Sequence, residues 1–319
     1  MTTTSPGSTL SRRQFLGSTG LLAAGFCLFP KTVFAQAESP VTAIKTAAAT
    51  AKIVVTKLRG NLSMLEGSGG NIAVLNGPAG KLLVDAGIGV SQPQVAAALA
   101  SISAAPVHYL VNTHWHFDHA DGNEWIHQAG ATIIAQENTR KHLKATVRVD
   151  DWNYTFPPAP QGALPTILFA NEKELEYNGE RIRMQRYQPA HTDCDISVYF
   201  PKADVLHVAD TFWNGHYPFI DYSTNGSIDG MIAAARQNIA RTTERTIIIP
   251  GHGPIGNRAQ LIEFHDMLVD IRTRVAALKK QGLTLAQVTA EQPTAKYDAK
   301  WGGFVISASL FTHLVYKGV

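Results

Sequence analysis

The sequence predicts an α/β protein with sheets inside and helices outside. Three observations carry that prediction. A glycine-punctuated series of short apolar runs fills residues 52–85, strand-like and helix-like segments alternate after it, and a long amphipathic helix lies toward the end. The runs at 52–55, 62–65, 71–75 and 81–85 are separated by Gly67, Gly69, Gly70, Gly77 and Gly80, and read as a meander of antiparallel strands. A helix over 92–102 places Val95, Leu99 and Ile102 on one face. Strands at 107–111 and 131–135 then alternate with helices at 122–128 and 137–144. Further strands are expected at 182–187, 196–200, 205–208 and 246–249, with a helix over 230–240 before the last. The helix over 259–280 spaces Leu261, Phe264, Leu268, Ile271, Val275 and Leu278 three and four apart, a stripe that suits packing on the chain's own core better than a dimer zipper. Two final helices cover 284–291 and 305–316. Two aromatic segments interrupt the pattern. Residues 146–165 carry Trp152, Tyr154 and Phe156, and residues 212–229 carry Trp213, His216, Tyr217, Phe219 and Tyr222. Such loops either line a pocket or pack as ordinary loops.

The chain has 319 residues, 45% hydrophobic and 17% charged, enough for a sizeable core in a soluble globular protein. Its first 37 residues read as a twin-arginine export signal. Ser11-Arg12-Arg13-Gln14-Phe15-Leu16 precedes an apolar stretch over 21–29, and small-residue cleavage patterns end at Ala35 and Ala37. That stretch is far shorter than the ~20 residues a membrane-spanning helix needs, so no stable membrane anchor is expected. The division is therefore a signal at 1–37 and one domain at 38–319, with an Ala/Thr/Ser-rich leader over 38–51. The destination is the periplasm and the export partner is the twin-arginine machinery. The signal holds Arg12, Arg13, Lys31 and no acid; taking those three from 28 basic residues leaves 25 against 25 acidic, a net charge of zero. Such a balance gives no basic surface for nucleic acid. Cys194 is the single cysteine after processing, so no intrachain disulfide is possible.

The chemistry concentrates in Asn112-Thr113-His114-Trp115-His116-Phe117-Asp118-His119, directly after the apolar strand at 107–111. Four potential ligands within six residues at a strand end can converge on one point. Imidazoles with a carboxylate suit zinc and similar divalent ions. Three more ligand-type residues each follow a strand: His191 in Pro189-Ala190-His191, Asp210 in Val208-Ala209-Asp210, and His252 in Gly251-His252-Gly253. Gly251 and Gly253 allow a sharp turn around a metal. Among the other histidines, His108, His127, His142, His265 and His313 read as surface or packing residues and His207 as a strand residue. His216 is a possible substrate contact, and Cys194 is discounted as a ligand.

In order, Asp85, the H-x-H-x-D-H run from His114 to His119, His191, Asp210 and His252 resemble the five motifs of the metallo-β-lactamase superfamily, over about residues 62–255. The resemblance implies an αββα sandwich, two mixed β-sheets flanked by helices, with two divalent metal ions, zinc by preference, at one edge. It implies that His114, His116 and His191 hold the first ion, that Asp118, His119 and His252 hold the second, and that Asp210 bridges them. Asp118, His119 and Asp210 then carry the catalytic roles, and Asp85 orients the loop of ligands. The activity implied is hydrolysis of a small-molecule carbonyl compound (ester, lactone, thioester or β-lactam) by a hydroxide shared between the metals, with no Ser or Cys nucleophile. Zinc β-lactamases of the superfamily generally lack the bridging aspartate, whereas its thioesterases and lactonases have it, so Asp210 points away from a dedicated β-lactamase. Export points away from glutathione thioesters. A mononuclear iron persulfide dioxygenase and a dedicated metallo-β-lactamase are the alternative activities, and a non-catalytic metal-binding protein is the alternative class.

Overall fold

Helix α1 (Pro40–Ala48) forms where a leader was expected. Ser39 caps it by accepting from Val41 N at 3.3 Å, and Pro40 brings a helical φ to the first turn. Val41 is fully buried, and the Ser39 hydroxyl donates to Trp152 O at 2.7 Å, so α1 is fastened to the body of the protein. The description comes from a computed structural model and covers residues 39–319. The expected export signal at 1–37 lies outside the described residues.

The meander follows as β1 (Val54–Lys57), β2 (Leu62–Glu66), β3 (Ile72–Leu75) and β4 (Lys81–Val84), each antiparallel to the next. Helix α2 (Gln92–Ile102) then returns the chain to β5 (Val107–Val111), parallel to β4. Two short helices, α3 (Phe117–Ala120) and α4 (Asn123–Gln128), precede β6 (Thr132–Gln136) and α5 (Glu137–Lys144). The first aromatic segment holds a small hairpin, β7 (Val147–Val149) with β8 (Tyr154–Phe156), before β9 (Ile167–Phe169) joins β6 in parallel. These seven strands form one sheet in the order β1-β2-β3-β4-β5-β6-β9. The second sheet runs β10 (Glu172–Tyr177), β11 (Glu180–Arg186), β12 (Ile196–Phe200), β13 (Val205–Trp213) and β14 (Ile247–His252), with α6 (Ile228–Arg241) crossing over before the parallel strand β14. The chain closes with α7 (Arg258–Lys280), α8 (Leu285–Ala290), α9 (Asp298–Trp301) and α10 (Ala308–Lys317).

The pleat sorts the core into layers. Leu62, Met64, Ala73 and Leu75 of the first sheet meet Ile182, Met184, Val198 and Phe200 of the second in one apolar cluster. The alternate residues Leu65, Val74, Leu83 and Leu110 face Val95, Leu99 and Ile126 of the helices outside. On the far side Leu206, Val208 and Ile248 pack under Met231, Leu261, Phe264 and Ile271. Helix, sheet, sheet, helix is the layer order, and both sheets mix parallel and antiparallel pairs. The apolar stripe of α7 is buried within its own chain, as its spacing implied.

Two strands were not foreseen besides the hairpin's pair: β9 is only three residues long, and β10 reads Glu-Lys-Glu-Leu-Glu-Tyr and alternates exposed with half-buried positions at a sheet edge. β13, expected over 205–208, runs on through Asp210 to Trp213. Among the described residues, no helix is long and apolar enough to cross a membrane.

Candidate metal centre

Every ligand-type residue picked from the sequence sits at the same edge of the sandwich. His114 leaves the loop after β5, and His116 caps α3, which carries Asp118 and His119. His191 lies between β11 and β12, Asp210 within β13, and His252 at the last position of β14. All seven side chains are buried. They form two groups whose donor atoms lie within 4.8 Å of one another: His114, His116, His191 and Asp210, and Asp118, His119 and His252. Asp210 stands between them, with Oδ2 3.3 Å from His191 Nε2 and 3.4 Å from His252 Nε2, and Oδ1 3.0 Å from His119 Nε2.

The imidazoles divide into an outer, satisfied side and an inner, open one. On the outer side His116 Nε2 meets Asp221 Oδ2 at 3.0 Å and His119 Nδ1 meets Asp85 Oδ2 at 2.8 Å. His191 Nδ1 meets the Phe219 carbonyl at 2.8 Å, and His114 Nδ1 meets the Thr113 hydroxyl at 3.1 Å. On the inner side His116 Nδ1 and His191 Nε2 meet at 2.8 Å, whereas Nε2 of His114, His119 and His252 and Oδ1 of Asp210 are buried without a well-aligned hydrogen bond, His119 Nε2 and Asp210 Oδ1 lying 3.0 Å apart. Unpaired buried polar atoms are costly, and four converging on one spot fit a bound cation better than any protein contact. The residues present therefore fit the binding of divalent metal that the donor chemistry implies.

Backbone geometry supports the cluster. Asp85 is held at φ 67 directly after β4. Aspartate tolerates this left-handed region better than most residues. Its carboxylate then accepts from Thr113 N at 2.8 Å and the Thr113 hydroxyl at 2.7 Å while holding His119, which ties β4 to the ligand loop. Ala209 adopts φ 45 where β13 and β14 shift register, turning Asp210 toward the ligands. Gly251 lies so close that a Cβ there would overlap Asp210 Oδ1, and Gly253 takes φ 86, which favours glycine.

Electrostatics follow from burying two carboxylates among imidazoles. Burial pushes the Asp210 carboxyl up, but His119, His252 and His191 together hold it well below the ordinary range. Burial alone would lower His252, yet Asp210 and Asp118 raise it to about 9. His191, with burial dominant, falls to about 4. The second group thus attracts positive charge, and the first keeps a neutral imidazole as a ready donor.

A cavity of about 430 Å³ opens onto the second group, with Asp118 and His252 in its wall. Trp152, Trp213 and His216 line it, so each aromatic segment contributes to a pocket as one of its two readings held. The same segments also pack as loops. Phe219 lies 4.6 Å from Trp152 ring to ring, and Tyr217 stacks at 4.7 Å on Phe311. The remaining histidines keep bland partners: His207 Nε2 meets Asn71 O at 3.1 Å, His127 the Ala131 carbonyl and His313 Asp151. Cys194 is buried outside both groups, 3.3 Å from the Thr192 hydroxyl, and burial pushes its thiol up. The sequence reading missed Asp221 and the carbonyl of Phe219, which brace His116 and His191 from within the second aromatic segment. It also missed Phe304 and Val305 at the cavity. An aspartate amid aromatics was the one available signal for the first.

A sandwich of two mixed sheets between helices, with a His/Asp centre at its edge, defines the class of metal-dependent hydrolases to which this arrangement corresponds. Residues 65–252 match the family model described as the metallo-beta-lactamase superfamily, and the chain belongs to that superfamily. It is 23% identical over 252 residues to a linear primary-alkylsulfatase from a Pseudomonas strain, an alignment covering 66% of this chain and 47% of that protein. Among solved structures, the stereoselective inverting sec-alkylsulfatase Pisa1 from Pseudomonas sp. superposes with a TM-score of 0.64 at 16% identity, over 86% of this chain and 51% of its own. The DIM-1 metallo-beta-lactamase superposes with a TM-score of 0.54 at 22% identity, over 68% of this chain and 97% of its own. The chain spans about half the length of the alkylsulfatases it matches.

Proposed function

We propose that this chain is an exported, dinuclear metal-dependent hydrolase that cleaves a small carbonyl compound, an ester or lactone before a thioester or β-lactam. The observation that carries this reading is the division of the imidazoles: outer nitrogens braced by Asp85, Asp221, Thr113 and Phe219, and inner nitrogens turned toward Asp210, of which Nε2 of His114, His119 and His252 make no hydrogen bond. His114, His116 and His191 would hold one ion, Asp118, His119 and His252 the other, and Asp210 both. Two bound ions, zinc by donor type, supply Lewis acidity toward a carbonyl and toward water. The protein's share is position and charge. Asp210 places a negative charge between the two groups, and Asp85 and Asp221 fix the tautomer and tilt of His119 and His116. Asp118 and His252 face the cavity, so substrate meets the centre from the side of the second group. Trp152 and Trp213 narrow the approach for water. Export rests on Arg12 and Arg13 and the apolar run after them, and the twin-arginine route would deliver the protein folded to the periplasm.

The likeness to alkylsulfatases favours a sulfate monoester as the second reading. The cavity wall argues against it, because among the described residues no Lys or Arg lines it to meet a sulfate. The test is a panel of aryl esters, lactones, thioesters, nitrocefin and alkyl sulfates, run on purified protein of measured metal content. Fastest turnover of esters or lactones supports the reading. Preferred turnover of alkyl sulfates, or oxygen consumption with a persulfide, overturns it.

A further inference from the structure

The cavity beside the second group is built partly from an element the superfamily match does not include. The match begins at residue 65, yet α1 supplies Ile44, Ala47 and Ala48 to the wall, and Ala51 follows just beyond it. This helix is not a loose strand of chain. Val41 is fully buried, Ser39 bonds to Trp152 O, Lys45 pairs with Asp121 at 3.0 Å, and Gln94 Nε2 donates to Ala49 O at 2.7 Å. Three alanines on one stretch keep that wall shallow, since each side chain stops at Cβ.

Phe304 and Val305 add a second apolar wall from the loop before α10. Among the described residues they remain 45% and 41% exposed, a costly arrangement for two adjacent large apolar side chains. The Phe304 ring lies 4.6 Å from His216 and 6.0 Å from His252, which joins this apolar patch to the metal centre. Among the described residues, Glu66 is the one charged side chain of the wall besides the centre's own residues. The space of about 430 Å³ falls within the range of small-ligand pockets.

We infer that α1 and the Phe304–Val305 edge form a tail-binding site for the uncharged hydrocarbon part of the substrate, and that the alanines of α1 set how large a tail it accepts. The inference deepens the hydrolase reading and rests on it for the scissile group, but the binding step stands apart from turnover. Burial of each methylene favours binding by about three- to fourfold, so selectivity should climb with tail length until the cavity is filled. The carboxylate of Glu66, with no Lys or Arg beside it among the described residues, disfavours an anionic tail.

The experiment uses the full mature chain, loaded with zinc, on p-nitrophenyl esters from acetyl to decanoyl. Wild type should show kcat/KM rising about three- to fourfold per carbon over the first several carbons. Ala47→Phe, on an exposed helical position where folding is not at stake, and Ala51→Phe should each lower the octanoyl-to-acetyl ratio of kcat/KM at least tenfold. Phe304→Ala should lower it severalfold. A second measurement needs no turnover: octanamide binding followed by tryptophan fluorescence, where Ala51→Phe should weaken binding at least tenfold, and suberamate, which carries a carboxylate at the far end of the same tail, should bind more weakly than octanamide. If no ester is cleaved while octanamide binding behaves so, the hydrolase reading fails and the tail site stands. A flat chain-length profile, an unchanged ratio in the two α1 variants, or tighter binding of suberamate overturns the tail site.

Discussion

Asp210 carries two duties that pull on its backbone and its charge. Its position follows from Ala209 at φ 45 and from a glycine, Gly251, whose missing Cβ leaves room for Oδ1. Replacing Asp210 with Asn keeps the shape and removes the charge shared by His119, His191 and His252. We predict weaker binding of the second metal and a fall in kcat of at least tenfold, larger than any rise in KM, because the lost charge acts at the reacting centre. Metal titration with steady-state kinetics checks this. Two tightly held ions and wild-type kcat in the variant would remove Asp210 from the bridging role. A pH effect belongs to the same scale. Without metal, His252 titrates near 9, raised above its ordinary 6.5 by Asp210 and Asp118 against the pull of burial. Its protonated form stabilises the fold fully below the ordinary value, and that contribution is lost as pH rises through about 9. A metal at the second group must displace this proton. Its affinity should therefore rise with pH up to about 9, and binding at pH 7.5 should release at least one proton, measured by calorimetry in buffers of different ionisation enthalpy. Proton-neutral binding would contradict the assignment of His252. The seven ligand-type residues were legible because four crowd into one short run after a strand and each of the other three comes after an apolar run that the sequence shows as a strand; in the structure Asp210 and His252 lie within β13 and β14. Asp221 was not, because only the folded loop brings it 3.0 Å from His116, 105 positions away.

Elements were legible where their period was strong. α7 shows it best: Leu261, Phe264, Leu268, Ile271 and Val275 are buried at the three- and four-residue spacing read from the sequence. An Ile271→Ala substitution should cost about 2–5 kcal/mol of stability, since the site lies in the core between α6, α7 and the second sheet. Chemical denaturation measures it, and a midpoint independent of protein concentration separates core packing from a dimer zipper. A loss below about 0.5 kcal/mol would place that stripe outside the core. Elements failed to show where composition masked them. β10 is an edge strand of charged residues whose three glutamates are exposed, Glu174 and Glu176 pairing with the Arg181 and Arg183 side chains of β11. The hairpin of β7 and β8 has three residues per strand, too few for a period of two to register. Helix α1 was hidden by its alanine and threonine content, although Ser39-Pro40 is a helix start by capping chemistry.

At the scale of the whole molecule, the sandwich exists to bring the ends of β5, β13 and β14 and two intervening loops to one edge. No single element holds a complete ligand set. Long-range closure of this kind favours metal loading after folding, which agrees with a route that carries folded proteins. Changing Arg12 and Arg13 together to Lys should reduce periplasmic accumulation at least tenfold, assayed by fractionation and immunoblotting; unchanged accumulation would remove the export proposal. The central claim is a centre of two ions, and metal content per chain tests it most directly. Elemental analysis of purified wild type should give about two divalent ions, zinc foremost, falling to one or fewer in His116→Ala together with loss of turnover. A single iron per chain, or a His116→Ala protein with full metal content and full rate, would contradict the account.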